Sequence, residues 1–395
     1  MSPAGEVRDG LTRPRYDAGG LAGVLPAVAA SLGAPVRRTT PEGRSVLGLP
    51  QARRAVVALV DGLGYELLSR RGGHAPFLRG LFPDAFRLTA GFPSTTATSM
   101  GTFGTGLPPG AHGLVGYEVL IPERDRVFNE LSWEDGPDPL VWQPTRTVFE
   151  ELAAAGLDVA MVGPGYFDGS GLTRAALRGV TRFLAANRPG QRVPAVLEAL
   201  RGMRRGLVYL YWGEVDKTGH QHGCDSWQWG LAVEEVDAAL RELAASLPAD
   251  TALYVTADHG MVDIPFASRV DLAEEPELAA GVRHLAGEAR VPQVHVTPGA
   301  LEDVRAAWEA RLAETAVLRT RDEVLDLGWF GPGAVRDEVA ARIGDLVVAC
   351  RGEIAVVDSR TQPRYLLSLL GLHGSLTPDE VAIPLLSVAP GSQRS

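Results

Sequence analysis

The sequence predicts an α/β fold built on a mostly parallel sheet with helices on both sides, and three observations predict it. Continuous apolar, largely β-branched runs recur at 55–60, 207–212 and 252–256, as strands buried on both faces require. Segments with helical spacing alternate with them. Each run stops at a turn bearing a carboxylate: Asp61 before Gly62-Leu63-Gly64, Asp216 after Gly213-Glu214-Val215, and Asp258 before His259-Gly260. In open α/β sheets ligands bind outside the carboxyl ends of the strands, so these carboxylates are placed to share one cleft.

In chain order, residues 1–20 read as a flexible leader, followed by a helix over 21–32 that stops at Gly33. The first core strand, 55–60, comes next. The hydroxyl-rich stretch Phe92-Pro-Ser-Thr-Thr-Ala-Thr-Ser-Met-Gly101 has the small residues that suit a helix N-terminus lying close against a strand. Helical spacing at 147–155 is closed by Gly156, and 158–163 reads as another buried strand. Residues 192–200 and 231–247 have amphipathic spacing, the latter with Glu, Asp and Arg on its outer face. From 265 to 335 the texture changes to an acidic segment at 271–277, a strand-like 293–297 and a helix over 301–313, which together read as a small α+β insert. Gly331-Pro332-Gly333 marks its end. The runs 345–350 and 353–357 are then expected to return the chain to the main sheet, so that the catalytic domain comprises 21–264 and 336–395.

At 395 residues, with 45% hydrophobic content, a large core is affordable. The net charge of −10 argues against a general nucleic-acid surface, and no binding of a nucleic-acid polymer is expected. Cys224 and Cys350 are too few for a disulfide framework and form no C-x-x-C pair. The first ten residues lack the charged start and apolar core of a signal peptide. The apolar stretch 21–32 is interrupted by Gly23 and Pro26 and falls short of the roughly 20 residues that span a bilayer. The expectation is a cytoplasmic protein with no membrane association.

Asp216-Lys-Thr-Gly-His220 sets a carboxylate and an imidazole four positions apart, within reach of a single cation. Alone, that spacing is more often a capped helix start or a surface pair. Adjacent Asp258-His259 reads equally as a polar turn, and Thr96 as an ordinary helix cap. Their joint occurrence with Asp61 changes the balance. A threonine hydroxyl is a poor nucleophile near neutral pH, but metal coordination stabilises its alkoxide, and N–H groups at a helix start receive phosphate oxygens.

With these residues in view, the chain resembles the alkaline phosphatase superfamily, and most closely its nucleotide pyrophosphatase/phosphodiesterase branch, through motifs spread from Asp61 to His373. The resemblance implies a three-layer α/β/α sandwich with a mostly parallel central sheet and a small α+β insert. It also implies two divalent metal ions, zinc with manganese as the other candidate. Asp61, Thr96, Asp258 and His259 correspond to the ligands of one ion, and Asp216, His220 and His373 to those of the other. The stretch Thr105-Gly-Leu-Pro-Pro-Gly-Ala-His-Gly113 is similar to the family's T-G-x-x-P-x-x-H-G. Three carboxylates and two divalent ions leave a site charge of about +1, which attracts a phosphodiester. The implied reaction is in-line attack by Thr96 on phosphorus of a small phosphodiester or nucleotide-type substrate, through a covalent phosphothreonine, with ions roughly 4 Å apart.

Two positions depart from the family pattern. An aromatic residue usually follows the nucleophile to stack on a nucleobase, and here Ala97 does. An asparagine that helps bind phosphate corresponds to Tyr117, whose phenolic O–H can donate the same hydrogen bond. His112 reads as ordering a turn beside Gly113, His222 as a polar loop residue or as a support behind the ligands, the former favoured, and His295 as exposed on an insert strand, while His74 and His284 have no motif context. Trp133, Trp142, Tyr166 and Phe167 read as local packing or as walls of the pocket.

A monoesterase or phosphosugar mutase with the same two metals is the near rival. Monoesters carry an extra charge that usually calls for a dedicated cation near the nucleophile, and residues 91–112 contain no arginine or lysine, leaving Lys217 or a distant arginine to reach in. The sulfatase motif C/S-x-P-x-R is absent at the nucleophile. A binding protein that keeps the fold without activity is the third reading, against which every expected ligand type is in place.

Overall fold

The computed structural model describes residues 6–7, 10–17, 19–36 and 47–392. Its main sheet has seven strands, in the order Phe86–Thr89, Ala382–Val388, Thr251–Thr256, Arg54–Val60, Gly206–Trp212, Asp158–Gly163 and Arg182–Ala185. The last five are mutually parallel, and Ala382–Val388 runs antiparallel between Thr251–Thr256 and Phe86–Thr89. The central strands are buried along almost their whole length, which is why their sequences read as unbroken apolar runs rather than alternations. Three of them, Thr251–Thr256, Arg54–Val60 and Gly206–Trp212, are neighbours in register. Their carboxyl ends therefore deliver Asp258, Asp61 and the turn leading to Asp216 to one place.

The helices follow the sequence closely. Val24–Ser31 ends before Gly33, whose φ is 67°. Val148–Ala154 starts with a capping box between Thr147 and Glu150. Helices at Arg192–Leu200 and Trp227–Ser246 cover the expected segments. Among the described residues no helix is long and apolar enough to cross a membrane.

Three expectations change. A second sheet of six antiparallel strands runs Ala316–Thr320, Leu346–Cys350, Val291–Val296, Val282–Glu288, Glu118–Ile121 and Arg126–Asn129. The run at 345–350 therefore belongs to this sheet and not to the main one, and Ala355–Val357 pairs with Arg269–Asp271. The sheet accordingly extends outside 265–335, because an apolar run specifies burial but not which sheet it joins. It has its own core around Val294, Trp308, Leu312 and Val348. Second, His295 is buried, not exposed: Val291–Val296 is an inner strand, and burial pushes the imidazole down to about 4. Third, the expected leader is packed where it is described. Leu11 is buried, the Thr12 N–H donates to Leu376 O (2.6 Å), and the Phe92 N–H donates to Tyr16 Oη (3.1 Å); residues 1–5, 8–9 and 18 lie outside the described part.

Candidate active site

Asp61 follows the last residue of its strand, and its N–H still bonds Trp212 O (2.9 Å). Gly62 then turns with φ of 72°, and a Cβ there would lie 2.9 Å from Asp216 Cα, so only glycine lets the two ligand-bearing segments approach. Asp216 and His220 sit one turn apart on the helix Glu214–His222. Asp258 and His259 leave the Thr251–Thr256 strand, with Asp258 Oδ1 accepting from the Gly62 N–H (3.2 Å) and the His259 N–H (3.0 Å). His373 arrives from the far end of the chain. Its loop is stitched to the nucleophile loop by the Ser94 N–H donating to Gly374 O (3.0 Å) and Ser94 Oγ donating to Ser375 O (2.8 Å). The fully buried pair Arg290–Glu380 (2.7 Å) anchors the same loop, since Glu380 also accepts from the Ser375 N–H and the Thr377 hydroxyl.

Thr96 opens the helix Thr96–Thr105, whose ten residues are all buried. Gly104 allows that packing, because a Cβ there would lie 1.8 Å from Ala176 O. The Thr96 Oγ1 atom is 3.2 Å from His259 Nε2.

The three imidazoles share one arrangement. Each Nδ1 faces a backbone carbonyl: His220 to Gly371 O (2.7 Å), His259 to Gly260 O (3.0 Å) and His373 to Ser94 O (2.9 Å). A carbonyl only accepts, so Nδ1 carries the hydrogen and Nε2 is left to face inward. Inward lie carboxylates: His220 Nε2 is 3.3 Å from Asp216 Oδ1, His259 Nε2 is 3.4 Å from both Asp61 Oδ1 and Asp258 Oδ2, and His373 Nε2 is 3.9 Å from Asp216 Oδ1. A lone pair facing carboxylate oxygens is repulsive unless a proton or a metal ion lies between them. Burial works against the proton, holding His259 below the usual histidine range and His373 well below it.

Burial also raises the carboxylates. Asp61 is held well above its usual range, with Asp258 adding to the effect; Asp216 is pushed up to about 7, and Asp258 to about 7 with Asp216 contributing. Asp61 Oδ1, Asp216 Oδ1 and Asp258 Oδ2 are buried without a hydrogen-bond partner among the described residues. Two donor triads result, Asp61/Asp258/His259 and Asp216/His259/His373, each with its ligand atoms mutually within 4.8 Å. His220 flanks the second triad, its ring 5.1 Å from that of His373. Mixed carboxylate and imidazole donors fit zinc and also accept manganese. All seven expected residues thus meet, although His259 belongs to both triads rather than to one alone.

Beside them opens a cavity of about 800 Å³. Tyr117 lines it and hydrogen-bonds Asn129, another lining residue, with burial raising its hydroxyl pKa. Tyr166, Phe167 and Lys217 line it as well, whereas Trp133 and Trp142 pack on Phe128 elsewhere. His112 orders its turn: Nδ1 accepts from the Leu114 N–H (3.1 Å), leaving Nε2–H to face Thr102 Oγ1 (3.1 Å), and burial pushes its pKa down to about 3. His222 is not a loop residue but the exposed last residue of the helix Glu214–His222. His74 and His284 pair with Glu234 and Asp125.

Sequence reasoning missed three residues. The Tyr211 hydroxyl donates to Asp61 Oδ2 (2.5 Å), and its sequence signal, a hydroxyl inside an apolar strand, is shared with Tyr209. Glu288 places Oε2 3.3 Å from His373 Nδ1, and Glu118 lies on the neighbouring strand; both line the cavity. Neither belongs to a motif.

The model of the family described as type I phosphodiesterase/nucleotide pyrophosphatase matches residues 55–376. Phosphopentomutase of Deinococcus radiodurans is 31% identical over 120 residues, which are 30% of this chain and 28% of that protein. An uncharacterised pyrophosphatase/phosphodiesterase of Schizosaccharomyces pombe is 25% identical over 201 residues, 49% of this chain and 39% of that one. The matched stretches therefore span well under half the length of either curated relative. Among solved structures, murine ectonucleotide pyrophosphatase/phosphodiesterase 5 superposes with a TM-score of 0.68 at 21% identity, covering 85% of this chain and 88% of its own. An inactive variant of it, with one threonine changed to alanine, was solved in complex with AMP. Phosphonoacetate hydrolase from Sinorhizobium meliloti, in complex with phosphonoformate, superposes at 0.67 with 19% identity, covering 90% and 94%. At these identities the structural likenesses speak for the fold.

Proposed function

The chain belongs to the type I phosphodiesterase/nucleotide pyrophosphatase family, and from that premise we propose that it hydrolyses phosphodiester or pyrophosphate bonds in small molecules, with Thr96 as the nucleophile. The observation that carries the reading is the position of Thr96 Oγ1, 3.2 Å from Nε2 of His259, the residue that the two triads of candidate donors share. Asp61, Asp258 and His259 would hold one divalent ion, with Thr96 Oγ1 facing it, and Asp216, His220 and His373 the other. When bound, the ions supply positive charge that favours the alkoxide of Thr96 and offsets charge on the phosphoryl oxygens and the departing group.

The chain's own residues do the rest. Backbone N–H groups in the first turn of Thr96–Thr105 are free of helical partners and receive phosphoryl oxygens. Thr96 Oγ1 forms a bond to phosphorus as the bond to the leaving group breaks, giving a phosphothreonine and releasing an alcohol or phosphate. Water then attacks phosphorus, and Thr96 Oγ1 leaves and regains its proton. Tyr117 donates a hydrogen bond to a phosphoryl oxygen. That an alanine-for-threonine variant of the ectonucleotide relative is inactive supports the choice of nucleophile.

The phosphopentomutase match favours a second reading, a monoesterase or phosphosugar mutase. Against it, the only lysine or arginine lining the cavity among the described residues is Lys217. The experiment is turnover of a nitrophenyl phosphodiester and of the monoester by zinc-loaded protein, wild type and Thr96→Ala. Diester hydrolysis that Thr96→Ala abolishes while zinc content persists is the expected result. Full activity in that variant refutes the covalent route, and monoester preference moves the assignment to the second reading.

A further inference from the structure

A second cavity, of about 400 Å³, opens on the antiparallel sheet and shares no lining residue with the first. Arg283, Arg321 and His295, from three separate segments, bring nitrogen donors to its wall. His295 is 1% exposed, and its Nε2 is buried without a partner among the described residues. A buried polar atom left unpaired costs stability unless water or a ligand reaches it. Burial pushes this imidazole down to about 4; Asp345 opposes the shift, while Arg321, His284 and Arg283 add to it. The ring is therefore neutral near pH 7 and can present Nε2–H to an acceptor. The two carboxylates on the wall are already engaged. Asp345 Oδ1 accepts from Arg321 Nη2 (2.7 Å) and its Oδ2 from the Val296 N–H (2.9 Å), and Asp125 Oδ1 lies 2.9 Å from His284 Nε2. The guanidinium groups keep donors to spare. Arg283 approaches Asp125 only at 3.6 Å, too long for a hydrogen bond, and Arg321 commits Nε to Ile343 O (2.9 Å) and Nη2 to Asp345, which leaves Nη1.

We propose that this cavity is a second binding site, separate from the metal cage, for a phosphate dianion, free or carried as a monoester, held between Arg283 and Arg321 with His295 Nε2–H as the third donor. Donors from three segments match three oxygens of a tetrahedral anion, whereas a planar carboxylate is satisfied by one guanidinium fork. Leu120 supplies an apolar wall beside them, against which a small organic group on the phosphate packs. The site stands on the second sheet alone and does not depend on the diesterase reading. Its strands Glu118–Ile121 and Val282–Glu288 also border the first cavity, through Glu118 and Gly287.

The test is a titration of zinc-loaded protein, with isotope-labelled histidine, by inorganic phosphate at pH 8, followed by nuclear magnetic resonance. Imidazole signals of His220, His259 and His373 report the metal cage, and those of His295 and His284 report this cavity, so phosphate at the two places is told apart. The His295 signal should move and saturate with a Kd on the order of 1 mM or tighter. Arg283→Gln should weaken that binding by about tenfold, the scale of one hydrogen bond to a charged group, while the cage signals respond as in wild type. His295→Gln assigns the signal; if that variant does not fold, the His284 signal, assigned by His284→Gln, carries the same titration. Methylphosphonate, a stand-in for a monoester, is run in parallel: tighter binding than phosphate names a monoester as the ligand, weaker binding names free phosphate. A His295 signal that does not move or does not saturate leaves only water at Nε2 and overturns the site. So does acetate binding as tightly as phosphate, or a Kd that Arg283→Gln leaves unchanged. Absence of diester turnover in the same preparation removes the hydrolase reading and leaves the result at His295 as it is.

Discussion

Replacing Asp258 by asparagine separates the two opposite effects that the metal cage has on stability. In the metal-free protein the Asp258 carboxylate is fully buried, and burial next to Asp216 raises its pKa from 3.8 to about 7. The folded state therefore holds an extra proton between those values, stability falls as pH rises through that window, and the whole penalty stands at pH 8. An Asp258→Asn amide keeps the acceptor for the Gly62 and His259 N–H groups and directs N–H toward His259 Nε2 without charge. Metal-free Asp258→Asn should thus be more stable than metal-free wild type, by on the order of 1 kcal/mol. With metal the order reverses. An ion at a hundredfold excess over its Kd stabilises by about 2.7 kcal/mol. With an unfolding entropy of about 2.1 cal/mol/K per residue, a chain of 395 residues shifts by about 3 °C per ion and roughly 6 °C for two. Scanning calorimetry at pH 8, after chelation and then with added zinc, should show a wild-type shift of that size and about half of it in Asp258→Asn. A full zinc shift in the variant, or a metal-free variant several degrees below wild type, refutes the reasoning.

Three further outcomes follow from single contacts. Tyr211→Phe removes the hydroxyl that donates to Asp61 Oδ2, and zinc affinity by competition with a chelating dye should fall about tenfold; unchanged affinity contradicts an orienting role. His112, pushed by burial from 6.5 down to about 3, takes up a proton on unfolding across that window, so its contribution to stability is lost as pH falls below 6.5. The penalty of His112→Gln in urea should accordingly be about 2 kcal/mol smaller at pH 5 than at pH 7, and an equal penalty at both rejects a neutral buried imidazole. Gly104→Ala forces the Thr96–Thr105 helix away from Ala176. Diester turnover should fall by about a hundredfold with zinc content retained, whereas unaltered turnover shows that helix placement does not aim Thr96.

The parts legible in the sequence are those where local composition carries the physics. Strands buried on both faces must be continuous apolar runs, so 55–60, 207–212 and 252–256 announce themselves, and the polar residue that ends each run is a ligand candidate at once. His373 is tied to the other ligands through the family resemblance, because the stitching of Ser94 to Gly374 and Ser375 is a long-range contact without local trace. The second sheet is not legible for the same reason: 346–350 is as apolar as a main-sheet strand, and only pairing with 291–296 and 316–320 assigns it. Its partners 118–121 and 126–129 sit about 160 residues earlier in the chain, and with them came Glu118. His295 alternates with valines, which implies an exposed face on an edge strand but a covered one on an inner strand.

Anomalous diffraction from crystals of zinc-loaded protein tests the central claim most directly. Two peaks are predicted, one bounded by Asp61, Asp258 and His259 with Thr96 facing it, the other by Asp216, His220 and His373. A single peak, peaks outside these side chains, or a second ion that His373 and Asp216 do not touch would contradict it.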